Sequence, residues 1–258
     1  MTPMNPRIAD WRGQRIWVIG ASTGIGAETA KLLLSLGARV ALSARSEAAL
    51  HAAANGHPQS IVLPLDVTDA AQLAQARDRL LQQWQGIDLV LLVAGVYNEM
   101  RADSIDMVAV NRTLDVNLRG VFNGLDAVLP TLLSQHSGGV AIVSSVAGFR
   151  GLPRALAYGP TKAALINLAE SLYVDLRAHG IAVYLINPGF VDTPATRRND
   201  FEMPALIDAT EAAREIVRGI ARGEFHIHFP KRFTNWLRVA RLLPYRVYFW
   251  LIHKVTGL

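Results

Sequence analysis

The sequence predicts a doubly wound α/β sheet, with parallel strands and helices on both faces. Three observations predict it. Short runs rich in Val, Ile and Leu alternate with longer helical patterns six times in succession. The strand runs are almost uninterrupted in apolar residues, as in a parallel sheet buried on both faces. The 258 residues contain no low-complexity linker and no internal repeat, so one sheet can bury one sizeable core.

The elements follow in order. Residues 15–20 (RIWVIG) read as the first strand, and 24–36 as a helix stopped by Gly37. Residues 39–43 (RVALS) form the second strand and 47–54 the second helix. After a third strand at 61–65, Thr68 and Asp69 offer caps to a helix over 70–84. The fourth strand is 88–93 (DLVLLV). The helical pattern over 106–134 is longer than average, and Pro130 near its end is expected to kink the last turn. A fifth strand at 140–144 (VAIVS), a helix over 157–178 ending before Gly180, and a sixth strand at 181–186 (IAVYLI) complete the sheet proper. Residues 194–206 have few helix or strand signals and read as a mobile lid, within a lid region near 194–210. A helix over 210–222 and a strand over 224–229 follow. We therefore expect one domain over 1–230 and a separate extension over 231–258.

Composition narrows the function classes. Hydrophobic residues are 51% and charged residues 18%, against roughly 25% charged in an ordinary soluble domain. That excludes a disordered chain and suggests extra buried surface, as in an oligomer or a membrane-contacting protein. With no cysteine, disulfides, thiolate nucleophiles and zinc–thiolate sites are excluded. The longest apolar run, 89–96, falls far short of the roughly 20 residues that span a bilayer. The first fifteen residues mix Asp, Arg and Pro without an apolar stretch, so no signal peptide is expected and the expected location is cytoplasmic.

The net charge of +5 is unevenly placed. Six of the 26 Lys/Arg and none of the 21 acids lie from Phe225 onward, so the rest of the chain is close to neutral. The same segment holds eight aromatic residues. Phe233, Trp236, Leu237 and Ala240 keep helical spacing, with Arg238 and Arg241 on the other side, until Pro244 breaks the pattern. Such a basic, aromatic, amphipathic segment suits a cover over its own pocket, a contact with a neighbouring subunit, or a peripheral contact with a membrane surface. A nucleic-acid partner is not expected, because it would want a basic face on the body.

Gly20-Ala21-Ser22-Thr23-Gly24-Ile25-Gly26 joins the first strand to the first helix. Glycines there allow a tight turn and close approach to a phosphate, which the helix N-terminus favours. The spacing, G-x-x-x-G-x-G, differs from the common dinucleotide fingerprint and is a weak signal alone. At the end of the second strand no acid is available to a ribose 2′-hydroxyl before Glu47. Arg45 stands there instead and can pair with a 2′-phosphate, so NADP(H) is expected in preference to NAD(H).

Tyr158 and Lys162 are spaced i and i+4, so they share a helical face. A nearby ammonium favours a phenolate and is expected to lower the tyrosine pKa, fitting Tyr158 for acid–base work. Ser145 stands thirteen residues earlier at a strand end, where α/β sheets bind ligands. With Asp66-Val67, Ala94-Gly95, Asn117 and the loop Asn187-Pro188-Gly189-Phe190-Val191-Asp192-Thr193, these residues occur in an order that resembles the short-chain dehydrogenase/reductase family, over roughly residues 12–222.

The resemblance implies a Rossmann-type fold and a hydride transfer between NADP(H) and a carbonyl or alcohol. It implies that Tyr158 moves the proton, Ser145 hydrogen-bonds the substrate oxygen, Lys162 also holds the nicotinamide ribose, and Asn117 supports a water relay to Lys162. It further implies that Asp66 bonds the adenine amino group while Val67 packs on the ring. Pro188, Gly189, Val191 and Thr193 belong to its nicotinamide loop. Asp66 also reads as a helix cap. Two positions depart from the family pattern: Ile19 stands where Thr is frequent, and Leu92-Val93-Ala94-Gly95 where Asn-Asn-Ala-Gly is usual. These departures bear on local rigidity, not on the chemical groups. The family habit of pairing helices suggests a homodimer or homotetramer, and a membrane-facing tail would suit an apolar substrate such as a lipid, steroid, retinoid or acyl compound. The alternative is a non-catalytic, dinucleotide-sensing or lipid-binding member, which would not need the proton-transfer set. His226 and His228 share a strand face, but no third ligand is visible, so no metal is expected.

Overall fold

The computed structural model describes residues 3–198 and 203–257. Its centre is a seven-stranded sheet built from β1 (Arg15–Ile19), β2 (Arg39–Ser43), β3 (Ser60–Val62), β4 (Leu89–Leu92), β5 (Gly139–Val143), β6 (Ala182–Pro188) and β7 (His226–Phe229). All pairings are parallel, in the order β3-β2-β1-β4-β5-β6-β7. The chain winds outward from β1 to β3, then returns to β4 and winds the other way. The switch point between β1 and β4 is where such sheets open a crevice at the strands' carboxyl ends.

The apolar runs alternate sides. Ile16 and Val18 of β1 pack with α1 (Gly24–Ser35), α2 (Glu47–Ala54) and α7 (Ala209–Ala221). Trp17 and Ile19 point to the other face and join the core under α3 (Ala70–Trp84), α5 (Gly120–Gln135) and α6 (Tyr158–Leu176). Two cores on one sheet explain why the strands read as continuous hydrophobic runs rather than alternating ones. The two family departures fall here: Ile19 and Leu92 are buried together, so apolar packing occupies the place of the usual polar groups.

Several boundaries differ from expectation. The third strand is three residues rather than five, because it is an edge with β2 as its one partner. β6 runs two residues further, to Pro188, because it pairs with β7 through that position. The pattern over 106–134 is not one α-helix. It comprises α4 (Met107–Leu114), a π-helical stretch (Asp115–Arg119) and α5. The apolar periodicity continues across the junction, which hides the extra residue per turn. Asp69, not Asp66, caps α3, accepting bonds from Ala71 and Gln72.

The expected lid lies partly in 199–202, outside the described residues. Its two ends are joined: Val191 and Ile207 form a β-bridge, and Asp192 N–H donates to the Ile207 carbonyl at 2.8 Å. Beyond β7 come α8 (Lys231–Ala240) and α9 (Tyr245–Thr256), separated at Pro244 as the pattern predicts.

Candidate active site

A cleft of about 1150 Å³ opens at the carboxyl ends of the strands. The loop after β1 forms its floor, and glycine is required there. A Cβ on Gly20, whose φ is +104°, would lie 2.7 Å from the Ala94 Cα, and one on Gly26 would overlap the Gly20 carbonyl. A Cβ on Gly24 would press the Thr193 side chain at 2.9 Å, so this loop and the loop after β6 meet across the cleft. Thr23 begins α1 without a side-chain cap and the first turn holds no acid, which leaves its N–H groups open to an anion. Gly20, Ser22, Thr23, Gly24, Ile25 and Gly26 all line the cleft. This close-fitting backbone suits a dinucleotide.

At the β2 end, Ser43 is buried and accepts a hydrogen bond from the Trp17 indole at 2.8 Å. Arg45 and Ser46 reach the cleft. Glu47 is turned along α2 toward His51, 3.8 Å away. Asp66 and Val67 line the same end. The Asp66 carboxylate accepts from the backbone and hydroxyl of Thr68, at 3.0 and 2.8 Å. Burial opposes its charge, yet the Thr68 bonds and the cations Arg112 and Arg45 outweigh burial and hold the carboxyl below its usual range. Arg112 also lines the cleft and was not anticipated. It sits on a helix with ordinary surface spacing, so no sequence signal marks it.

At the centre, Ala94 and Gly95 follow β4, Ser145 follows β5, and Tyr158 and Lys162 project from α6; all five line the cleft. The Ser144 hydroxyl donates to the Lys162 carbonyl at 2.7 Å, and a Cβ on Gly148 would crowd the same backbone, so α6 is clamped against the strand end. Tyr158 shares a hydrogen bond with the Ser145 side chain. The Lys162 ammonium donates to the Val143 carbonyl at 2.9 Å and lies 5.5 Å from the Tyr158 ring centre.

The electrostatics correct one expectation. Burial pushes the Tyr158 hydroxyl up to about 12, against the Ser145 bond, and nearby Tyr97 adds to the rise. Burial also lowers Lys162 to about 8. The ammonium is directed at a backbone carbonyl, and desolvation dominates at both groups, so Tyr158 is not lowered as the spacing suggests. Tyr97 itself was missed. Its ring meets Tyr158 edge-on, with centres 5.1 Å apart, two residues past the glycine.

Asn117 does not line the cleft but sits fully buried behind it, on the π-helical stretch. Its amide brackets Val96, accepting from the backbone N–H at 2.7 Å and donating to the carbonyl at 2.9 Å. A Cβ on Gly95 would contact both Asn117 Oδ1 and Lys162 Nζ, at 3.4 and 3.6 Å, which places these three residues together. Such π-helical turns are frequent at functional sites.

Pro188, Gly189, Val191 and Thr193 line the far end, and Pro194, Ala195, Thr196 and Pro204 line it beyond them. Behind them, Asn187 is buried and its amide contacts the His226 ring at 2.9 Å. His228 bonds Thr234 at 2.6 Å and Arg238 at 3.0 Å. Burial and neighbouring positive groups hold both imidazoles near 4, and therefore neutral. This is a hydrogen-bonded strand face tying β7 to α8. Among the described residues no group of metal-binding side chains occurs.

The short chain dehydrogenase family model matches residues 14–203, more than half of the chain. The chain belongs to the short-chain dehydrogenase family. It is 36% identical over 231 residues to an uncharacterized oxidoreductase of Myxococcus xanthus, covering 88% of this chain and 91% of that one. The fold is similar to a short-chain dehydrogenase/reductase from Burkholderia phymatum in complex with NAD, with a TM-score of 0.82, 24% identity, and coverage of 90% of this chain and 94% of that one. It is also similar to a chain described as ribose-5-phosphate isomerase from Brucella melitensis 16M, with a TM-score of 0.79, 25% identity, and coverage of 85% and 93%. The protein is thus an oxidoreductase of the short-chain dehydrogenase type, and the family binds NAD(P).

Two C-terminal helices complete the apolar end. Phe233 and Leu237 of α8 and Ile252, Val255 and Thr256 of α9 line the cleft. Arg150, just past the Ser145 turn, holds them there. Its guanidinium donates to the Ala240 and Leu243 carbonyls at 3.1 and 2.6 Å and stacks over the rings of Tyr245 and Tyr248. The Tyr248 hydroxyl donates to the Gly151 carbonyl at 2.8 Å. Arg150 has no sequence signal, because its partners are backbone carbonyls 90 residues or more away.

Proposed function

We propose that this oxidoreductase reduces an apolar ketone or aldehyde to its alcohol, using NADP(H) in preference to NAD(H). The carrying observation is the convergence of Ser145, Tyr158 and Lys162 on one wall of a cleft floored by the glycine loop. When bound, the nicotinamide supplies the hydride. Tyr158 holds the proton: a phenol raised to about 12 is protonated at neutral pH and suited to donate to the developing alkoxide. Ser145 orients the substrate oxygen beside it. Lys162, cationic below about pH 8, holds the ribose. Asn117 is a positioning residue that supports a water relay to Lys162.

The remaining lining residues divide by chemistry. Gly20, Ser22, Thr23, Gly24, Ile25 and Gly26 hold the pyrophosphate. Asp66 and Val67 take the adenine, Ala94 and Gly95 flank the ribose, and Pro188, Gly189, Val191 and Thr193 take the carboxamide. Arg45 takes the 2′-phosphate, assisted by Ser46. The preference for NADP(H) is supported by the cations at that end and by Glu47 being turned away. The related Burkholderia protein is in complex with NAD, so the choice of cofactor is the point to test.

The reading takes residues 1–230 as the catalytic domain and 231–258 as an extension that makes a peripheral membrane contact, with the body in the cytoplasm. A homodimer or homotetramer through α4–α6 is supported by exposed Met107, Val108, Phe122 and Val174 on those helices. No nucleic acid is involved.

The test titrates the protein with NADPH and NADH, following nucleotide fluorescence. NADPH should bind at least about tenfold tighter, and Arg45→Ala should remove most of that difference, as expected for one charge-assisted contact. Tighter NADH binding would overturn the 2′-phosphate assignment. Binding of neither nucleotide would overturn the oxidoreductase mechanism.

A further inference from the structure

The helices α8 and α9 each have two faces with different work. The inner faces wall the cleft through Phe233, Leu237 and Ile252, with Val255 at its open rim, 74% exposed. The outer faces carry large apolar side chains in the open: Trp236 is 76% exposed, Leu242 in the connection 83%, and Trp250 61%, with Val239 and Phe249 also exposed. Arg232, Arg241, Arg246 and Lys254 stand exposed among them, and the Lys254 ammonium lies 5.2 Å from the Trp250 ring centre.

Length, charge and chemistry select the occupant of this surface. At 10 and 12 residues the helices are about 15 and 18 Å long, half the thickness of a hydrocarbon core, so they can lie on a bilayer but not cross it. No helix among the described residues is long and apolar enough to cross a membrane. The segment from Phe225 carries six cations and no acid, so a second copy docked on it through the same segment would set like charges together. An anionic lipid surface accepts those cations while Trp and Phe sink to headgroup level. Arg150 fixes this surface to the turn that bears Ser145, so a docked face and the apolar end of the cleft stay adjacent.

We propose that the outer faces of α8 and α9 dock on an anionic lipid bilayer, and that the cleft takes its apolar carbonyl substrate from that bilayer. The docking clause deepens the peripheral membrane contact read above by naming its lipid chemistry, and only the substrate clause rests on the reductase reading.

The experiment sediments the full chain with vesicles of phosphatidylcholine alone or mixed with phosphatidylglycerol. The protein should partition onto the anionic vesicles at least about tenfold more strongly and be released by salt. Trp236→Ser/Trp250→Ser should weaken binding by about tenfold, and Arg232→Gln/Arg246→Gln should remove the preference for anionic lipid. Both variants should bind NADPH as the parent does, which shows intact folding. Equal sedimentation with and without the anionic lipid, or unchanged partition of the tryptophan variant, would overturn docking. So would a change in oligomeric mass with the tryptophan variant and no loss of vesicle binding, which would make the face a subunit contact. Vesicle binding without NADPH binding would leave docking standing and sink the reductase reading.

Discussion

The two ends of the cleft are built by different means. The nucleotide end is backbone: glycines at strand ends, an open helix N-terminus, and loops pressed within van der Waals contact. The apolar end is side chains: Phe233, Leu237, Ile252 and Val255 on two short helices, held by Arg150. Backbone geometry tolerates almost no substitution, whereas an apolar wall accepts many shapes. One end therefore constrains a cofactor class, and the other, under the proposed function, would constrain only the apolarity of a substrate.

A substitution at Gly20 breaks the first half of this comparison. Gly20→Ala places a methyl group against Ala94 at a φ of +104°, at a strain of about 1–3 kcal/mol before any clash. We expect the melting temperature to fall by about 5–10 °C and nucleotide affinity by more than tenfold, measured by calorimetry and fluorescence titration. A neutral result would mean the close loop contact is not needed.

The histidine face sharpens the link between the halves. His226 and His228 are held near 4, below the 6.5 of an unfolded chain. Between those values the unfolded chain binds more protons, so this contribution is intact above about pH 6.5 and is lost as pH falls toward 4. Thermal melts should show that loss between pH 7 and 5, and His228→Gln should reduce it. A variant with the same acid sensitivity as the parent would place the titration elsewhere.

The mildest change concerns the apolar end alone. Arg150→Met removes two hydrogen bonds and two ring contacts from the α8–α9 corner. The KM for an apolar ketone should rise about threefold to tenfold while NADPH affinity stays within about twofold. Equal effects on both would show that Arg150 supports the fold generally.

The same contrast explains what could be read from the chain. The helices at Glu47–Ala54 and Ala70–Trp84 match their patterns residue for residue, since caps and periodicity mark both ends. The parallel sheet was legible because burial on both faces leaves runs of Val, Ile and Leu. The π-helical turn that carries Asn117 was not, because its neighbours keep helical periodicity on either side. Arg112, Tyr97 and Arg150 were also hidden, since their partners come from other elements and leave no local spacing. The altered proton affinity of Tyr158 depends on burial, which an i, i+4 pattern does not report.

Under the proposed function, Tyr158 moves the proton in a cleft whose other parts bind nucleotide without it. The direct measurement is turnover of an apolar ketone with NADPH by Tyr158→Phe, with nucleotide affinity determined on the same sample. We predict a fall of about 10²–10⁴-fold in kcat with the NADPH dissociation constant within about twofold of the parent. Turnover within tenfold of the parent would contradict the assignment and move the proton to another group.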